Sequence, residues 1–159
     1  MLVIRKAQPR DVPQILQFIR ELAEYEKEPQ SVIATEEDLL RDGFGHSPRY
    51  FCLMAEWGGA PAGFAFYFLT YSTWLGRVGL YLEDLFVRPQ LRGNGIGKAL
   101  LVELARIAVG EKCGRMHWQA LDWNTPAIEF YERLGAKKLS EWETFRLAGD
   151  ALERLARDG

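Results

Sequence analysis

The 159-residue sequence predicts an α/β (α+β) fold, a mixed sheet with helices on both faces. Three observations lead there. Two β-type runs, Tyr50 to Glu56 and Ala62 to Tyr71, are separated only by Gly58-Gly59-Ala60-Pro61, a turn short enough to make them antiparallel. The later β-type runs are instead joined through stretches of helical length and helical apolar period. No repeat, low-complexity tract or linker interrupts this order, so residues 1–159 are expected to form one domain.

In chain order, Leu2 to Lys6 reads as a first strand. Asp11-Val12-Pro13-Gln14 starts a helix, with Asp11 as cap, Pro13 tolerated in the first turn and Gln14 placed to reach back. Ile15, Phe18, Ile19 and Leu22 form its apolar stripe, and Tyr25 and Glu26 lie at its end. Thr35-Glu36-Glu37-Asp38 caps a second, short helix that Asp42-Gly43 stops. After the hairpin, Ser72 to Gly79 reads as a loop around Trp74, and Leu80 to Val87 as a buried strand. A glycine turn and a helix to Gly110 follow, then a strand from Arg115 to Leu121. Asn124 caps a helix from Thr125 to Leu134 with Pro126 in its first turn and Gly135 at its end. A last strand, Glu143 to Leu147, precedes a short helix beginning at Asp150.

Bulk properties narrow the function classes. Hydrophobic content of 48% and charged content of 26% suit a globular protein able to bury a core. A net charge of −2, without a Lys/Arg cluster, argues against nucleic acid as a partner. No signal peptide or membrane-length apolar run is present, so the expectation is a cytoplasmic protein with no membrane partner. Cys52 and Cys113 read as buried free thiols, His46 as solvent-facing, and neither Cys nor His shows metal-ligand spacing.

The most informative stretch is Gln90 to Lys98, where Gly93, Gly95 and Gly97 lie between a strand and a helix. Glycines let a backbone approach a ligand closely, and the first helical N–H groups have no partner within the helix. With the positive end of the helix dipole behind them, these donors suit a phosphate or pyrophosphate. Arg92 and Lys98 add charge beside the turn. A Walker loop is excluded because Ala99 follows Lys98, and a dinucleotide fingerprint because the glycines alternate strictly.

Arg92-x-x-Gly95-x-Gly97 after this strand resembles the acyl-CoA loop of the GNAT superfamily of N-acetyltransferases. Asn124 followed by Phe130-Tyr131 and Gly135 resembles that superfamily's second signature. Within it, Glu21 to Glu26, Asp42 to Gly45, Tyr71 to Trp74 and Tyr81 to Asp84 are similar to the diamine (polyamine, thialysine) acetyltransferases. The resemblance implies a mostly antiparallel central sheet, splayed where the cofactor binds. It implies acetyl-CoA as acetyl donor without a metal, a small amine as substrate, and a homodimer paired through late strands. Cofactor contacts would come from Leu85, Phe86, Val87, Arg92, Gly93, Asn94, Gly95, Ile96, Gly97, Lys98, Asn124, Pro126 and Ala127. Amine contacts would come from Tyr25, Glu26, Trp74, Glu83, Asp84, His117, Trp118, Gln119 and Glu141. One departure is the short Ser140-Glu141-Trp142, where polyamine members carry a longer acidic segment. Another is Leu134, where some members place a basic residue near the coenzyme phosphates.

Acetyl transfer to an amine requires a base, because aliphatic ammonium groups lose their proton only near pH 10. Glu83 and Asp84 interrupt an apolar strand, which costs desolvation unless they are used. Simple alternation sends them to opposite faces, and the resemblance assigns the base to Glu83. It assigns the general acid to Tyr131, whose phenol is protonated at neutral pH. Backbone N–H groups near Leu85 to Val87 would stabilise the oxyanion. The alternatives are a GNAT enzyme for another amine (a protein N-terminus, an antibiotic or a metabolite) and a coenzyme A-binding sensor without catalysis.

Overall fold

The computed structural model describes residues 1–158. Its contacts sort into two compact units, Met1–Leu121 and a second beginning at Asp122.

The first unit is built on a five-stranded sheet of order β1-β2-β3-β4-β5. Its strands are β1 (Leu2–Lys6), β2 (Phe51–Trp57), β3 (Ala60–Ser72), β4 (Arg77–Val87) and β5 (Met116–Trp118). β1 to β4 pair antiparallel and β5 joins β4 in parallel, so the sheet is mixed and mostly antiparallel as expected. Gly58 and Gly59 both have positive φ (60° and 83°), which suits the two-residue turn between β2 and β3. The loop around Trp74 is tighter than the sequence suggests. Ser72 Oγ accepts from the Leu75 N–H and the Ser72 carbonyl from the Gly76 N–H, so β4 already starts at Arg77.

One face of the sheet carries α1 (Val12–Tyr25) and α2 (Glu36–Phe44). Phe18 of α1 lies 5.4 Å from the Phe64 ring and 6.0 Å from that of Phe86. The other face carries α3 (Ile96–Gly110), whose Ile96, Leu100, Leu101 and Leu104 are buried. Helices therefore cover both faces.

Local departures from expectation have physical causes. Asp11 does not cap α1, because its carboxylate is held by the Arg5 guanidinium at 2.7 and 2.8 Å and by the Gln8 N–H. Gln14 does not reach back either, and its amide nitrogen is buried without a partner. Thr35 and Asp38 do form the capping box of α2. Gly43 does not stop that helix but lies inside it, where a Cβ would run into the Tyr50 ring.

The second unit contains α4 (Thr125–Arg133) and α5 (Gly149–Arg157). Asn124 occupies the N-cap position of α4 without a side-chain cap bond, and Pro126 lies in its first turn. Gly135, at φ 97°, ends the α4 segment and lets the Ala136 N–H return to the Tyr131 carbonyl. The expected strand at Glu143 to Leu147 is absent. β-type side chains form a strand only against a partner ladder, and among the described residues this segment joins none.

Candidate active site

The site is organised by an irregularity in β4. Opposite β3, Phe66 pairs with Asp84 and Tyr67 with Leu82, so Glu83 is an extra residue with no partner. This bulge changes the phase of alternation along the strand. Before it, Leu80 and Leu82 pair with Leu69 and Tyr67; after it, Leu85 pairs with Ala65 on that same α3-facing side. Tyr81, Asp84 and Phe86 pair with Phe68, Phe66 and Phe64, and so face α1. The apolar pattern Leu80, Leu82, then Leu85, Val87 carries this phase change in the sequence itself.

Asp84 is thereby half-buried on the α1 face while Glu83 remains exposed. Burial, then the neighbouring Glu83 carboxylate, then Glu26 raise the Asp84 carboxyl to about 7. Burial likewise raises Glu26, at the end of α1. Glu83 of β4 and Glu26 of α1 thus both lie within electrostatic reach of Asp84. Tyr81, which the sequence reading did not single out, belongs with them. Its phenol is raised by burial and by Glu83, and its ring stacks on Phe68 at 5.2 Å. Its position on the Asp84 side, exposed only once the bulge is known, was the missing signal.

β5 ends early. The β4–β5 ladder stops at the pair Leu82↔Trp118, so Glu83 to Val87 continue without a β5 partner. Among the described residues no strand pairs with β4 on that side at Leu85, Phe86 and Val87, where the sheet was expected to open. His117 pairs with Tyr81 and shares its face, whereas Trp118 pairs with Leu82 and turns the other way. Gln119 lies just past the strand. Burial and then Arg115 lower the His117 imidazole below its ordinary value.

The turn from β4 into α3 is shaped as a cradle. Gly93 and Gly95 have φ of 87° and 77°, and a Cβ at either would meet nothing within 4 Å. Gly95 is the N-cap of α3, so the N–H groups of Ile96, Gly97 and Lys98 open the helix toward that space. Asn94 braces the turn through its amide to the Leu91 carbonyl, 2.9 Å. The Arg92 guanidinium turns inward. It lies 4.7 Å above the Tyr25 ring and 5.9 Å above that of Phe86, and its Nε donates to the Val87 carbonyl. It ties the turn to the end of α1. Nearby, Arg88 grips Glu21 through two 3.1 Å contacts and covers the Phe18 ring.

Trp74 is not brought to the carboxylates. It stands 86% exposed at the β3–β4 turn, and Arg77 to Glu83 alone is about 20 Å of strand. In the second unit, Asn124, Pro126 and Ala127 form the start of α4, and Tyr131 follows Phe130 with ring centroids 5.5 Å apart. Glu141 lies in the irregular segment after α4 and is exposed. Among the described residues there is no group of three or more His, Cys, Asp or Glu suited to a metal ion. Nor is any helix long and apolar enough to cross a membrane.

Comparison with known proteins gives a consistent answer. The solved structure of an integron cassette protein from V. cholerae superposes with a TM-score of 0.82 at 29% identity, covering 98% of each chain. A thialysine N-epsilon-acetyltransferase from Bos taurus is 43% identical, covering 98% of this chain and 97% of that protein. A spermidine/spermine N(1)-acetyltransferase-like protein 1 from Homo sapiens is 40% identical over 96% of this chain, which spans 23% of that longer protein. The model of the acetyltransferase (GNAT) family matches residues 13–136, so that this chain, with its glycine cradle, belongs to the GNAT family and is an N-acetyltransferase.

Proposed function

We propose that this chain moves the acetyl group of acetyl-CoA to a primary amine of a small aliphatic molecule bearing a second positive charge. A diamine, a polyamine or a thialysine-like amino acid fits that description. The observation that carries this reading is the grouping of Glu26, Glu83 and Asp84, which holds more negative charge than one proton transfer requires. The names of the bovine and human relatives, which specify thialysine and spermidine/spermine, support it.

Acetyl-CoA supplies the activated thioester. The Gly93–Asn94–Gly95 cradle, the α3 N–H groups and Lys98 suit its phosphates, with Arg92 holding the turn in place. The segment Leu85 to Val87 suits its pantetheine amides and the oxyanion, and Asn124, Pro126 and Ala127 belong to the same role. No metal is needed. Glu83, the exposed neighbour of Asp84, takes the ammonium proton, directly or through water. Glu26 and Tyr25 hold the distal charge. His117, Trp118, Gln119 and Glu141 complete the amine contacts, and Tyr131 protonates the leaving sulfur. Attack is direct, in a ternary complex, and the family match running across residue 121 favours one catalytic domain.

The same reading makes the protein a cytoplasmic homodimer. No described residue of the second unit is fully buried. Phe145 is 91% exposed, Trp142 63%, and Leu152 and Leu155 on one side of α5 are more than half exposed. A nine-residue helix has little stability alone and needs a surface to pack against. A second copy provides it, pairing through the late segment from Glu141 to Leu147 as the resemblance to the diamine acetyltransferases implies.

Acetyl-CoA thiol release with an amine panel tests the substrate class. Putrescine, spermidine or thialysine should outperform peptide N-termini and aminoglycosides. Preference for the latter would transfer the enzyme to another GNAT substrate class, and no release with any amine would favour a sensor.

A further inference from the structure

A second cavity lies at the opposite end of α3 from the glycine cradle. It holds about 240 Å³, roughly eight waters' worth of space. With fifteen residues of α3 between them, the two places are about 22 Å apart along the helix. Tyr50, Cys52 and Tyr67 are its buried lining residues, Phe51 and Leu69 its partly exposed apolar ones, and Lys6 and Glu111 its exposed charged ones.

The polar groups of the buried lining are not equally satisfied. Tyr50 donates its hydroxyl to the Leu39 carbonyl at 2.6 Å, and the Cys52 thiol lies 3.7 Å from the Leu53 carbonyl. Tyr67 is only 5% exposed, its ring stacks on Phe51 at 5.6 Å, and its hydroxyl makes no hydrogen bond among the described residues. The hydroxyl oxygen itself keeps accessible surface, so it is available to an occupant of the cavity. The charged lining is also specific. Lys6 and Glu111 border the same cavity, yet neither forms an ion pair with the other or with any described residue. Glu111 follows the last turn of α3, whose carbonyl end adds negative potential on its side. One cavity is therefore bordered by a cation and an anion that do not pair with each other, beside the rings of Phe51 and Tyr67.

We infer that this cavity binds a small zwitterionic amino acid with an apolar side chain. Its carboxylate faces Lys6, its ammonium faces Glu111 and the α3 carbonyls, and its side chain lies against Phe51, Tyr67 and Leu69. The Tyr67 hydroxyl completes the contacts. This site is separate from the acetyl-transfer site and stands whether or not the proposed acceptor is right.

Amide NMR titration of the acetyl-CoA-saturated protein tests it with three probes: L-phenylalanine, phenethylamine lacking the carboxylate, and 3-phenylpropionate lacking the ammonium. Phenylalanine should shift the amides of Lys6, Phe51, Cys52, Leu69 and Glu111 and bind more tightly than either fragment. Lys6→Met should weaken phenylalanine and phenylpropionate by about two- to fivefold, as for exposed ion pairs, and spare phenethylamine. Glu111→Gln should do the converse, and Tyr67→Phe should weaken phenylalanine by about two- to tenfold without altering the spectrum's overall dispersion. Absence of these shifts at millimolar probe would overturn the inference. So would shifts confined to the Gly93–Lys98 turn, or equal losses for all three probes in both charge variants.

Discussion

At the scale of single residues, Asp84 shows how far a side chain's chemistry is set by backbone register. The adjacent acids of β4 were visible in the sequence, as was the cost of placing them in an apolar strand. Their environments were not, because simple alternation misses the extra residue at Glu83. With its carboxyl raised to about 7 by burial and by Glu83, Asp84 gives two expectations. An amine substrate needs the ionised cluster, so kcat/KM should rise with pH through about 7, and Asp84→Asn should remove that limb or shift it by at least one unit. The stability effect has the opposite sign. Between 3.8 and about 7 the folded state holds a proton that the unfolded state has lost, so stability falls as pH climbs through this window. Asp84→Asn carries no such loss. Its melting temperature should therefore gain on wild type between pH 5 and pH 8, and a constant offset across that range would reject the raised carboxyl. For Tyr131, replacement by Phe removes only the proton. Turnover should drop by roughly 10²–10⁴ with coenzyme binding little changed, and turnover near wild type would return this ring to a packing role.

At the scale of elements, the strand, glycine turn and α3 were legible because glycines and helical apolar period are local signals. The inward course of Arg92 was not legible, since it depends on Tyr25, which lies sixty-seven positions earlier. A Gly95→Asp variant places a carboxylate at the N-cap of α3, in space where a Cβ meets nothing. Asp tolerates left-handed backbone better than most residues, so the fold should persist while coenzyme A binding is lost. Unchanged calorimetric affinity in the folded variant would displace the phosphates from this turn. Gly63 makes a contrasting case. There a Cβ would run into the Phe86 carbonyl, a backbone atom that cannot swing aside. Gly63→Ala should destabilise the fold by about 3 kcal/mol or more, seen in the urea midpoint with an unchanged slope.

At the scale of the whole molecule, the mixed sheet and its two-sided helices followed from the order of elements. The last strand did not, because a strand requires a ladder and the candidate at Glu143 to Leu147 joins none among the described residues. The exposed Phe145 and Trp142 of that segment are why a dimer is proposed. Light scattering at micromolar concentration should give twice the 18.2 kDa chain mass, and a fully active monomer would contradict it. The central claim, that the carboxylates of α1 and β4 read a second charge on the amine, is tested most directly by Glu26→Gln. Its kcat/KM should be compared for a diamine and a monoamine of matched length, with acetyl-CoA saturating. Loss of a charge-assisted contact predicts a decrease of about tenfold to a hundredfold for the diamine alone. An equal decrease for both amines, or no activity of the wild-type enzyme on the diamine, would contradict it.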